Sequence, residues 1–475
     1  MTTTTTTTRD KDIVVGKSSS SEAASSLSSS SSSSSSVAVA CAFVSALGAF
    51  AFGYNLAVVN GPLEAIARSA TGVANNLTAQ GSIVSTLLVG ATVGSLVAGK
   101  IVDACGRRMS QLYCGVLLAV GPGLCVFSAT SLPGILAGRF LTGVGIGIAS
   151  SLVPLYISEV SPKNLRGSLG SVNQLTICLG IVLGLLANLV YAPHQWRAMF
   201  GIAAVPGALL ALLAATFLPE TPAFLASRGK VDEAEKQALR LWGESRDVEV
   251  NDVESSKPAE GGGESIFSKA YRKVLVVSVL MFVFQQMSGI NSIVFFSSSM
   301  FHDIGVQNPA VASLIVGLVN LVGTMFTGYL VDRAGRKQLM QVSYGGMALT
   351  LGVLSVVSSS GLSHSLPFAP LVILASILAY MFSFALGAGA IPGMYVSEIG
   401  GDCRAQASSV AFTTHWIMNI LIGQYFLQLT SQFGVSALYA VFALSCLCAL
   451  VFVNRVCSET KGKSFDEIKK DFLLV

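Results

Sequence analysis

The chain has little charge. Asp, Glu, Lys and Arg make up 11% of its 475 residues, whereas a soluble domain carries about 25%. Hydrophobic residues make up 52% of the sequence, and the mean hydropathy is +0.67. This composition excludes an ordinary soluble protein and predicts an all-α membrane protein. The net charge of +4 says little, because the positions of the charges matter more than their sum.

Catalytic and metal-binding patterns are also missing. The nine cysteines are scattered without a metal-type spacing, and most lie in apolar runs. We therefore expect small buried side chains, with no disulfide framework and no metal site. There is no nucleophile elbow and no H-E-x-x-H motif. The glycines of 139–147 are not a nucleotide loop, since no strand precedes them, and they indicate close helix packing. We expect no enzyme, no cofactor and no nucleic-acid partner.

Twelve apolar segments follow one another, and each meets or approaches the roughly 20 residues that span a bilayer. They lie at 37–61, 80–102, 109–130, 132–156, 168–190, 198–218, 274–301, 310–331, 338–360, 367–396, 405–430 and 434–456. The Ser- and Thr-rich tail before them cannot bury apolar area and is expected to be disordered. Its basic residues are balanced by acidic ones, which is not typical of a transit peptide.

The two halves of the chain repeat each other. Acidic and basic residues recur at equivalent ends of the segments: Asp103, Arg107, Glu159 and Arg166 in the first half, and Asp332, Arg336, Glu398 and Arg404 in the second. Six plus six spans in parallel repeat are typical of a transporter with its site between the halves. The predicted parts are a tail (1–36), a six-helix half (37–218), a central loop with short helices (219–273), a second half (274–457) and a C-terminal tail (458–475).

The distribution of Lys and Arg predicts the orientation. Loops that join odd to even segments hold only Arg68 and Arg197, whereas loops that join even to odd segments hold eight Lys or Arg and the central loop holds nine more. The positive-inside rule then places both termini on the cytoplasmic side, or on the equivalent side of an organelle. The repeated acid–base residues either anchor this topology or form an ionic network between the halves that biases outward- against inward-open states.

Amides interrupt the seventh segment, which reads MFVFQQMSGINSIVFFS at 281–297. An unpaired amide in hydrocarbon costs several kcal/mol, so Gln285, Gln286 and Asn291 are expected to face a polar cavity. On a straight helix Gln286 and Asn291 would be about 140° apart. Gly289 between them predicts a break that turns both towards one cavity. The cavity either joins helices through amide contacts or binds a neutral, hydroxyl-rich ligand, and three amides in seven residues favour the ligand.

Seven motifs mark the ends and interiors of the segments: DACGRR (103–108), RFLTGVGIG (139–147), PLYISEVSPKNLRG (154–167), PETP (219–222), QQMSGIN (285–291), DRAGRK (332–337) and ETKG (459–462). Through them the chain resembles the sugar porter branch of the major facilitator superfamily over 37–470. Within that branch it is most similar to plastidic glucose transporters, through IVSTLLVGATVGS (83–95), SEVSPKNLRGSLGSVNQL (158–175), LGAGAIP (386–392) and HWIMN (415–419). The resemblance implies the major facilitator fold, with twelve transmembrane helices in two six-helix pseudo-repeats.

The resemblance also implies a set of sugar-binding residues. Amides can donate and accept, which suits sugar hydroxyls without the cost of burying charge. The implied sugar-binding amides are Gln174, Gln285, Gln286, Asn291, Asn320 and Asn419. Trp416 would either cover the apolar face of the sugar ring or pack against neighbouring helices. Arg139 is the only Lys or Arg deep in a segment. It is either functional or structural, bonding backbone carbonyls and the Asn55 amide.

We therefore predict facilitative transport of a hexose, D-glucose first, by alternating access. The alternative is a proton–hexose symporter. The position at which such symporters carry an acid in the first span is Asn55 here, so His415 is the one midspan group that could titrate. A non-transporting sugar receptor is disfavoured by the short C-terminal tail. The expected partners are the sugar and the lipid bilayer, with no obligate protein partner. The resemblance to plastidic transporters implies the plastid envelope. The plasma membrane or another endomembrane is the alternative, because Asn76 begins a glycosylation sequon.

Overall fold

The structure is a computed structural model. It describes residues 19–73, 76–128, 131–162, 165–242, 265–303, 307–359, 368–463 and 465–472, with no side-chain detail for 19–35. Throughout these ranges the regular structure is helical, and no strand occurs in them. The prediction of an all-α membrane protein is confirmed.

Six spans form the N-terminal half: Ser19–Ala57, Leu77–Cys105, Arg107–Phe127, Leu132–Val160, Arg166–Val190 and Trp196–Thr216, which we number 1 to 6. Six more form the C-terminal half: the broken pair Arg272–Gln286 and Ile290–Asp303 (span 7), Pro309–Ala334, Arg336–Val357, the broken pair Ala369–Leu386 and Ile391–Ile399 (span 10), Arg404–Phe433 and Val435–Val456. Eleven of the twelve are long and apolar enough to cross a bilayer. Span 11 is equally long but more polar, because His415, Asn419 and Gln424 lie along it.

Short helices connect the spans. The central loop, for which the sequence predicts short helices, contains the amphipathic helix Val231–Trp242. Pro222–Ser227 precedes it, and its first turn is capped by Thr221, whose hydroxyl accepts from the Phe224 N–H. The sequence analysis missed Leu63–Thr71 after span 1 and Phe465–Phe472 in the C-terminal tail. The part of the central loop from 243 to 264, which includes a stretch rich in Ser, Pro and Gly, lies outside the described residues.

The N-terminal tail differs from the expectation of disorder. Span 1 begins at Ser19, inside the Ser-rich tail, and residues 1–18 lie outside the described residues. Once an apolar helix such as 37–57 exists, each added residue gains one hydrogen bond without a new nucleation cost. The segment preceding the membrane can therefore continue the helix, although a composition-based reading predicts disorder.

Close glycine contacts hold the spans of the first half together. A Cβ on Gly143 of span 4 would lie 2.0 Å from the Leu87 carbonyl oxygen of span 2, and one on Gly147 would lie 2.2 Å from that of Ala91. The two backbones therefore touch directly, as the sequence analysis expected for these glycines. Any larger side chain at either position would push spans 2 and 4 apart.

The two halves meet along spans 2 and 11 and along spans 5 and 8. We call the end of the bundle that carries Arg107 and Arg336 the basic end, and the other the opposite end. At the opposite end, Asn60 donates to the Val294 carbonyl at 2.7 Å and to Ser297 at 2.9 Å. The Asn60 amide oxygen accepts from the Ser298 N–H at 3.0 Å. These bonds join the turn that follows span 1 to span 7 and close the opposite end.

Spans 2 and 11 extend this closure. Ser85 donates to the Gln424 amide oxygen at 2.7 Å, and Gln428 donates to the Thr78 hydroxyl at 3.2 Å. At the basic end, by contrast, every ion pair between described residues stays inside one half or inside the central loop. Among the described residues, the halves are thus hydrogen-bonded to each other at the opposite end and not paired through charges at the basic end.

Candidate functional site

Span 7 is broken where the sequence predicted it. Its first helix ends at Gln286 and its second begins at Ile290. Gly289 between them has φ +86°, and a Cβ there would lie 2.4 Å from the Phe442 ring, so only glycine fits without strain. The break turns both amides the same way, and the Asn291 amide donates to the Gln286 amide oxygen. The prediction that Gln286 and Asn291 share one face of the break is confirmed.

A histidine extends this amide pair towards span 11. The Gln286 amide nitrogen lies 2.6 Å from Nδ1 of His415, and the Asn419 amide nitrogen lies 3.3 Å from its Nε2. Gln286 is 1% exposed, Asn291 7% and Asn419 4%. The four side chains form a continuous polar chain from Asn291 to Asn419 inside the bundle. We call these residues the amide chain.

Gln285 has a different role from the one expected. It was grouped with the sugar-binding amides, but its nitrogen donates to the carbonyls of Ala388 at 2.7 Å and Gly389 at 3.1 Å. These carbonyls belong to the break in span 10, between Leu386 and Ile391. Their own helical partners are missing there, so Gln285 satisfies them. The Gln285 amide nitrogen therefore supports a second broken helix. The Gln285 amide oxygen lies 3.3 Å from Nδ1 of His415.

The break in span 10 was missed by the sequence analysis, which took 367–396 as one segment. The signal was present, since two glycines and Pro392 lie together in LGAGAIP. The two breaks support each other. Gln285 of span 7 bonds the span 10 carbonyls, and the Tyr380 hydroxyl of span 10 donates to the Ser288 carbonyl of span 7 at 2.9 Å. Both discontinuous helices are therefore held in register by reciprocal hydrogen bonds.

Tyr380→Phe tests this support directly. It removes the bond to the Ser288 carbonyl, and a buried carbonyl without its partner costs about 1–3 kcal/mol. Tyr344→Phe is the matched control, because the Tyr344 hydroxyl is also buried but has no hydrogen-bond partner. We expect the thermal unfolding midpoint of Tyr380→Phe to be lower than that of the wild type, and the midpoint of Tyr344→Phe to be unchanged. Equal midpoints would contradict a supporting role for Tyr380.

Two predicted amides form a separate group between the halves. Gln174 of span 5 and Asn320 of span 8 both donate to the sulfur of Cys178, over 3.8 Å and 3.7 Å. Cys178 is 1% exposed and also lies 3.5 Å from the Thr324 hydroxyl. Both amides are half-buried. The predicted set therefore divides into the amide chain of spans 7 and 11 and a second pair at the seam of spans 5 and 8.

Trp416 lies beside the amide chain and reaches the other half. Its ring is 2% exposed and packs on His415, with centroids 5.0 Å apart, and on Phe52 of span 1, with centroids 5.9 Å apart. The indole N–H has no hydrogen-bond partner among the described residues. A buried donor without a partner is costly, so Trp416 brings an unused polar group to the wall next to the amides.

Arg139 behaves as a structural residue in part. Its Nε donates to the Ile83 carbonyl and its Nη1 to the Asn55 carbonyl, each over 3.1 Å. The predicted carbonyl bonds are therefore confirmed. The predicted bond to the Asn55 side chain is wrong, because that amide donates to the Ala51 carbonyl of its own helix. The Arg139 Nη2 and the Asn55 amide oxygen remain buried without partners among the described residues.

A bidentate pair organises the basic end of the first half. Arg107 at the start of span 3 binds both carboxylate oxygens of Glu159 at 3.0 Å, and Asp103 lies 3.7 Å from its Nη1. Thr221 donates to the same Glu159 carboxylate, and the Glu220 carboxylate accepts from the Arg107 N–H at 2.9 Å. Spans 3, 4 and the segment after span 6 are thus tied together.

The second half repeats this cluster. Arg336 binds Glu398 at 3.0 Å, and Asp332 lies 3.5 Å from its Nη1. Thr460 donates to Glu398 at 2.6 Å, and the Glu459 carboxylate accepts from the Arg336 N–H at 2.9 Å. The signal for Glu220 and Glu459 was present in the sequence, since an Glu-Thr pair follows span 6 and span 12. Each cluster joins helix ends within its own half.

The two repeated glutamates differ in their environment. Burial raises the pKa of Glu220 above its usual value, although backbone N–H donors oppose this. Burial acts in the same direction at Glu459, but four backbone N–H donors outweigh it and lower its pKa. The hydrogen bonds to backbone N–H groups favour the ionised carboxylate in both cases. Glu459, which is less buried, is therefore ionised more readily than Glu220.

The described residues do not form the expected network between the halves. Glu159 and Glu398 pair inside their own halves, and Arg404 is exposed without an ion pair to a described carboxylate. The side chain of Arg166 lies outside the described residues. The correction has a simple cause, because the nearest guanidinium to each glutamate lies on the neighbouring span of the same half, and a short bidentate contact is preferred to a longer one.

Comparison with known proteins gives consistent results. A family model described as "Sugar (and other) transporter" matches residues 41–472. The chain is 44% identical over 441 residues to plastidic glucose transporter 4 of Arabidopsis thaliana, covering 91% of this chain and 79% of that protein. It is 32% identical over 460 residues to human solute carrier family 2, facilitated glucose transporter member 3, covering 90% and 91%.

A solved structure has the same fold. The inward-open conformation of the xylose transporter XylE from E. coli superposes with a TM-score of 0.78 at 26% identity, covering 92% of this chain and 100% of that one. The shared fold confirms the prediction of twelve spans in the major facilitator arrangement. These relatives are transporters and not enzymes. From its family model, its relatives and its fold, the chain belongs to the sugar transporter family.

Proposed function

We propose that the protein carries a hexose, D-glucose first, across its membrane down the sugar gradient. The observation that carries this proposal is the amide chain, which lies inside the bundle beside the indole of Trp416. Amides offer both donors and acceptors to sugar hydroxyls, and an aromatic ring covers the apolar face of a pyranose. The named relatives that transport glucose support the choice of sugar.

Binding residues are proposed in two groups. Gln286, Asn291 and Asn419 bind from the C-terminal half. Gln174 and Asn320 bind from the seam of spans 5 and 8, where weak contacts to the Cys178 sulfur are easily exchanged for a hydroxyl. Gln285 contributes indirectly, because its nitrogen is occupied by span 10. A sugar between the two groups would be held by both halves, as alternating access requires.

The structure is proposed to represent the state that is open at the basic end. Hydrogen bonds join the halves at the opposite end, and the relative with the same fold is described as inward open. Closing the basic end would bring the Arg107 and Arg336 clusters towards each other. The exposed Arg404 then supplies a cation to the facing half, so the predicted ionic network would form only in the other state.

Uniport is favoured over proton symport. Among the described residues, the acids within the spans are Glu22, in the Ser-rich extension of span 1, and residues in the terminal turns of the helices, and Asn55 cannot ionise. Arg139 keeps its charge because a guanidinium is not deprotonated in proteins. Sodium would lack an anionic ligand midspan, and a proton carrier would need His415, whose two nitrogens are both in contact with amides.

The membrane is proposed to be the plastid envelope, with the termini on the cytoplasmic or equivalent side. The plastidic relative and the distribution of Lys and Arg support this. A glycosidase-sensitive form of the native protein at the cell surface would contradict it, because Asn76 could be glycosylated only on the secretory route.

Uptake by proteoliposomes tests the choice of substrate. Purified protein should take up labelled D-glucose faster than protein-free liposomes, and unlabelled D-glucose should compete while L-glucose should not. Competition by D-xylose or D-galactose would rank the alternatives. Absence of stereoselective uptake for every hexose would contradict the proposal.

A further inference from the structure

His415 connects amides that belong to two different spans. The Gln286 amide nitrogen of span 7 lies 2.6 Å from its Nδ1, and the Asn419 amide nitrogen of span 11 lies 3.3 Å from its Nε2. We propose that His415 is a positioning residue of the sugar site which, as the neutral tautomer with the proton on Nε2, fixes the orientation of both amides. This inference rests on the proposed function.

The tautomer follows from the donors around the ring. Gln286 already accepts through its oxygen from Asn291, so its nitrogen end faces Nδ1 and must donate. Nδ1 is therefore the acceptor, and the proton lies on Nε2. That N–H then needs an acceptor, which Asn419 provides when its amide oxygen faces the ring.

The orientation of Asn419 explains an unsatisfied atom. With its nitrogen towards the ring, the Asn419 amide oxygen is buried without a partner. Reversing this one amide gives the oxygen the Nε2–H as a donor, and the ends of an amide are assigned by such bonds. The amide nitrogen then points to where the oxygen had been, and it is free to donate to a ligand hydroxyl.

The other forms of the ring fit less well. A proton on Nδ1 would have the Gln285 amide oxygen as an acceptor at 3.3 Å, but it would also face the Gln286 nitrogen at 2.6 Å, donor against donor, and the shorter contact decides. Relieving that conflict would require Gln286 to reverse and then Asn291 to reverse as well. A doubly protonated ring has the same conflict. The described surroundings of the ring are Phe282, Phe412 and Trp416 and the amides, and no ion pair between described residues includes His415.

Both ring nitrogens of His415 are therefore hydrogen-bonded to neighbouring amides. His415 leaves no ring nitrogen for the sugar, and its effect on binding passes through Gln286 and Asn419. A residue with this role should alter substrate affinity more than maximal transport rate. An asparagine should replace it in part, because one amide can both accept and donate.

Transport kinetics test the role. His415→Ala is expected to raise KM for D-glucose about tenfold, because two oriented amides are released, while the rate at saturating sugar stays near that of the wild type. His415→Asn should recover part of the affinity, because its amide can replace the contact made at Nδ1. Thr414→Ala is the control on the same helix, since the Thr414 hydroxyl bonds only its own backbone at Val410. It should leave KM unchanged.

The outcomes separate the two proposals. An unchanged KM for His415→Ala, or a loss that His415→Asn does not repair, would overturn the positioning role. A wild-type protein that transports no hexose would instead contradict the proposed function. Should His415→Ala fail to fold, the comparison of His415→Asn with His415→Leu keeps the test, because leucine fills the space without a polar atom to orient either amide and should bind the sugar more weakly.

A spectroscopic measurement tests the tautomer without transport. The chain has four histidines, and replacing the other three leaves His415 as the single ¹⁵N-histidine signal in labelled protein. We expect an unprotonated Nδ1 and a protonated Nε2. A signal from the Nδ1–H tautomer or from a charged imidazolium at neutral pH would overturn the assignment.

Discussion

Gln286→Ala is expected to raise the KM for hexose about tenfold to a hundredfold while the protein still folds and inserts. Gln286 is the centre of the amide chain, because it accepts from Asn291 and donates to His415. Its loss removes a direct contact to the sugar and frees both neighbours. Each lost hydrogen bond is worth about 0.5–1.5 kcal/mol, and more where a buried partner is left unsatisfied. A factor of ten corresponds to about 1.4 kcal/mol.

Gln111→Ala is the matched control. Gln111 is a fully buried amide of span 3 that donates to the Ser45 hydroxyl of span 1 at 2.5 Å, entirely within the first half. Its removal should lower thermal stability and leave KM unchanged. The measurement is the concentration dependence of zero-trans uptake, with unfolding followed in parallel. If Gln286→Ala keeps the wild-type KM, the amide chain only joins helices and the sugar binds elsewhere.

Asn60→Ala is expected to shift the protein towards the state open at the opposite end. Asn60 makes three hydrogen bonds from the turn that follows span 1 to span 7, to Val294, Ser297 and Ser298. At about 0.5–1.5 kcal/mol each, their loss changes the ratio of the two states by roughly tenfold to a thousandfold, because these bonds exist in only one of them. Transport should slow, because closing the opposite end, which each transport cycle requires, becomes less favourable.

Spin labels measure this shift. Val73 and Phe433 lie at the opposite end on different halves, and both are exposed, at 56% and 65%. In a cysteine-free background carrying labels at these positions, Asn60→Ala should increase the population at the longer distance. Asn188→Ala is the control, because Asn188 bonds the Ala57 carbonyl within the same half. Unchanged distances in Asn60→Ala would show that these bonds do not set the equilibrium.

The break in span 7 could be predicted because its causes are local. Three amides and a glycine within seven residues cannot remain on one lipid-facing helix, and the left-handed φ of Gly289 and the Gln286–Asn291 bond follow from that conflict. The same local reasoning located the twelve spans, since each depends on the length and hydropathy of its own segment. It also identified the two acid–base clusters as repeats of each other.

The partners of these residues could not be predicted in the same way. The Ala388 and Gly389 carbonyls are free only because span 10 breaks, so the role of Gln285 depends on a helix more than 100 residues away in the chain. The pairing of Glu159 with Arg107, within one half, depends on which spans are adjacent at the basic end in this state. Sequence patterns place residues at the same depth, but the choice of partner requires the packing.

The most direct test of the central claim is the steady-state distribution of a non-metabolised hexose analogue across a proteoliposome membrane that carries an inward proton gradient. The claim is that this protein moves hexose only down its own gradient, because the acids of the described spans lie near helix ends or in the Ser-rich extension of span 1, and none lies midspan to carry a proton. We predict equal internal and external concentrations at steady state, reached at the same rate with and without a protonophore. Accumulation above the external concentration that collapses with the protonophore would contradict uniport and identify His415 as the group to examine for proton transfer.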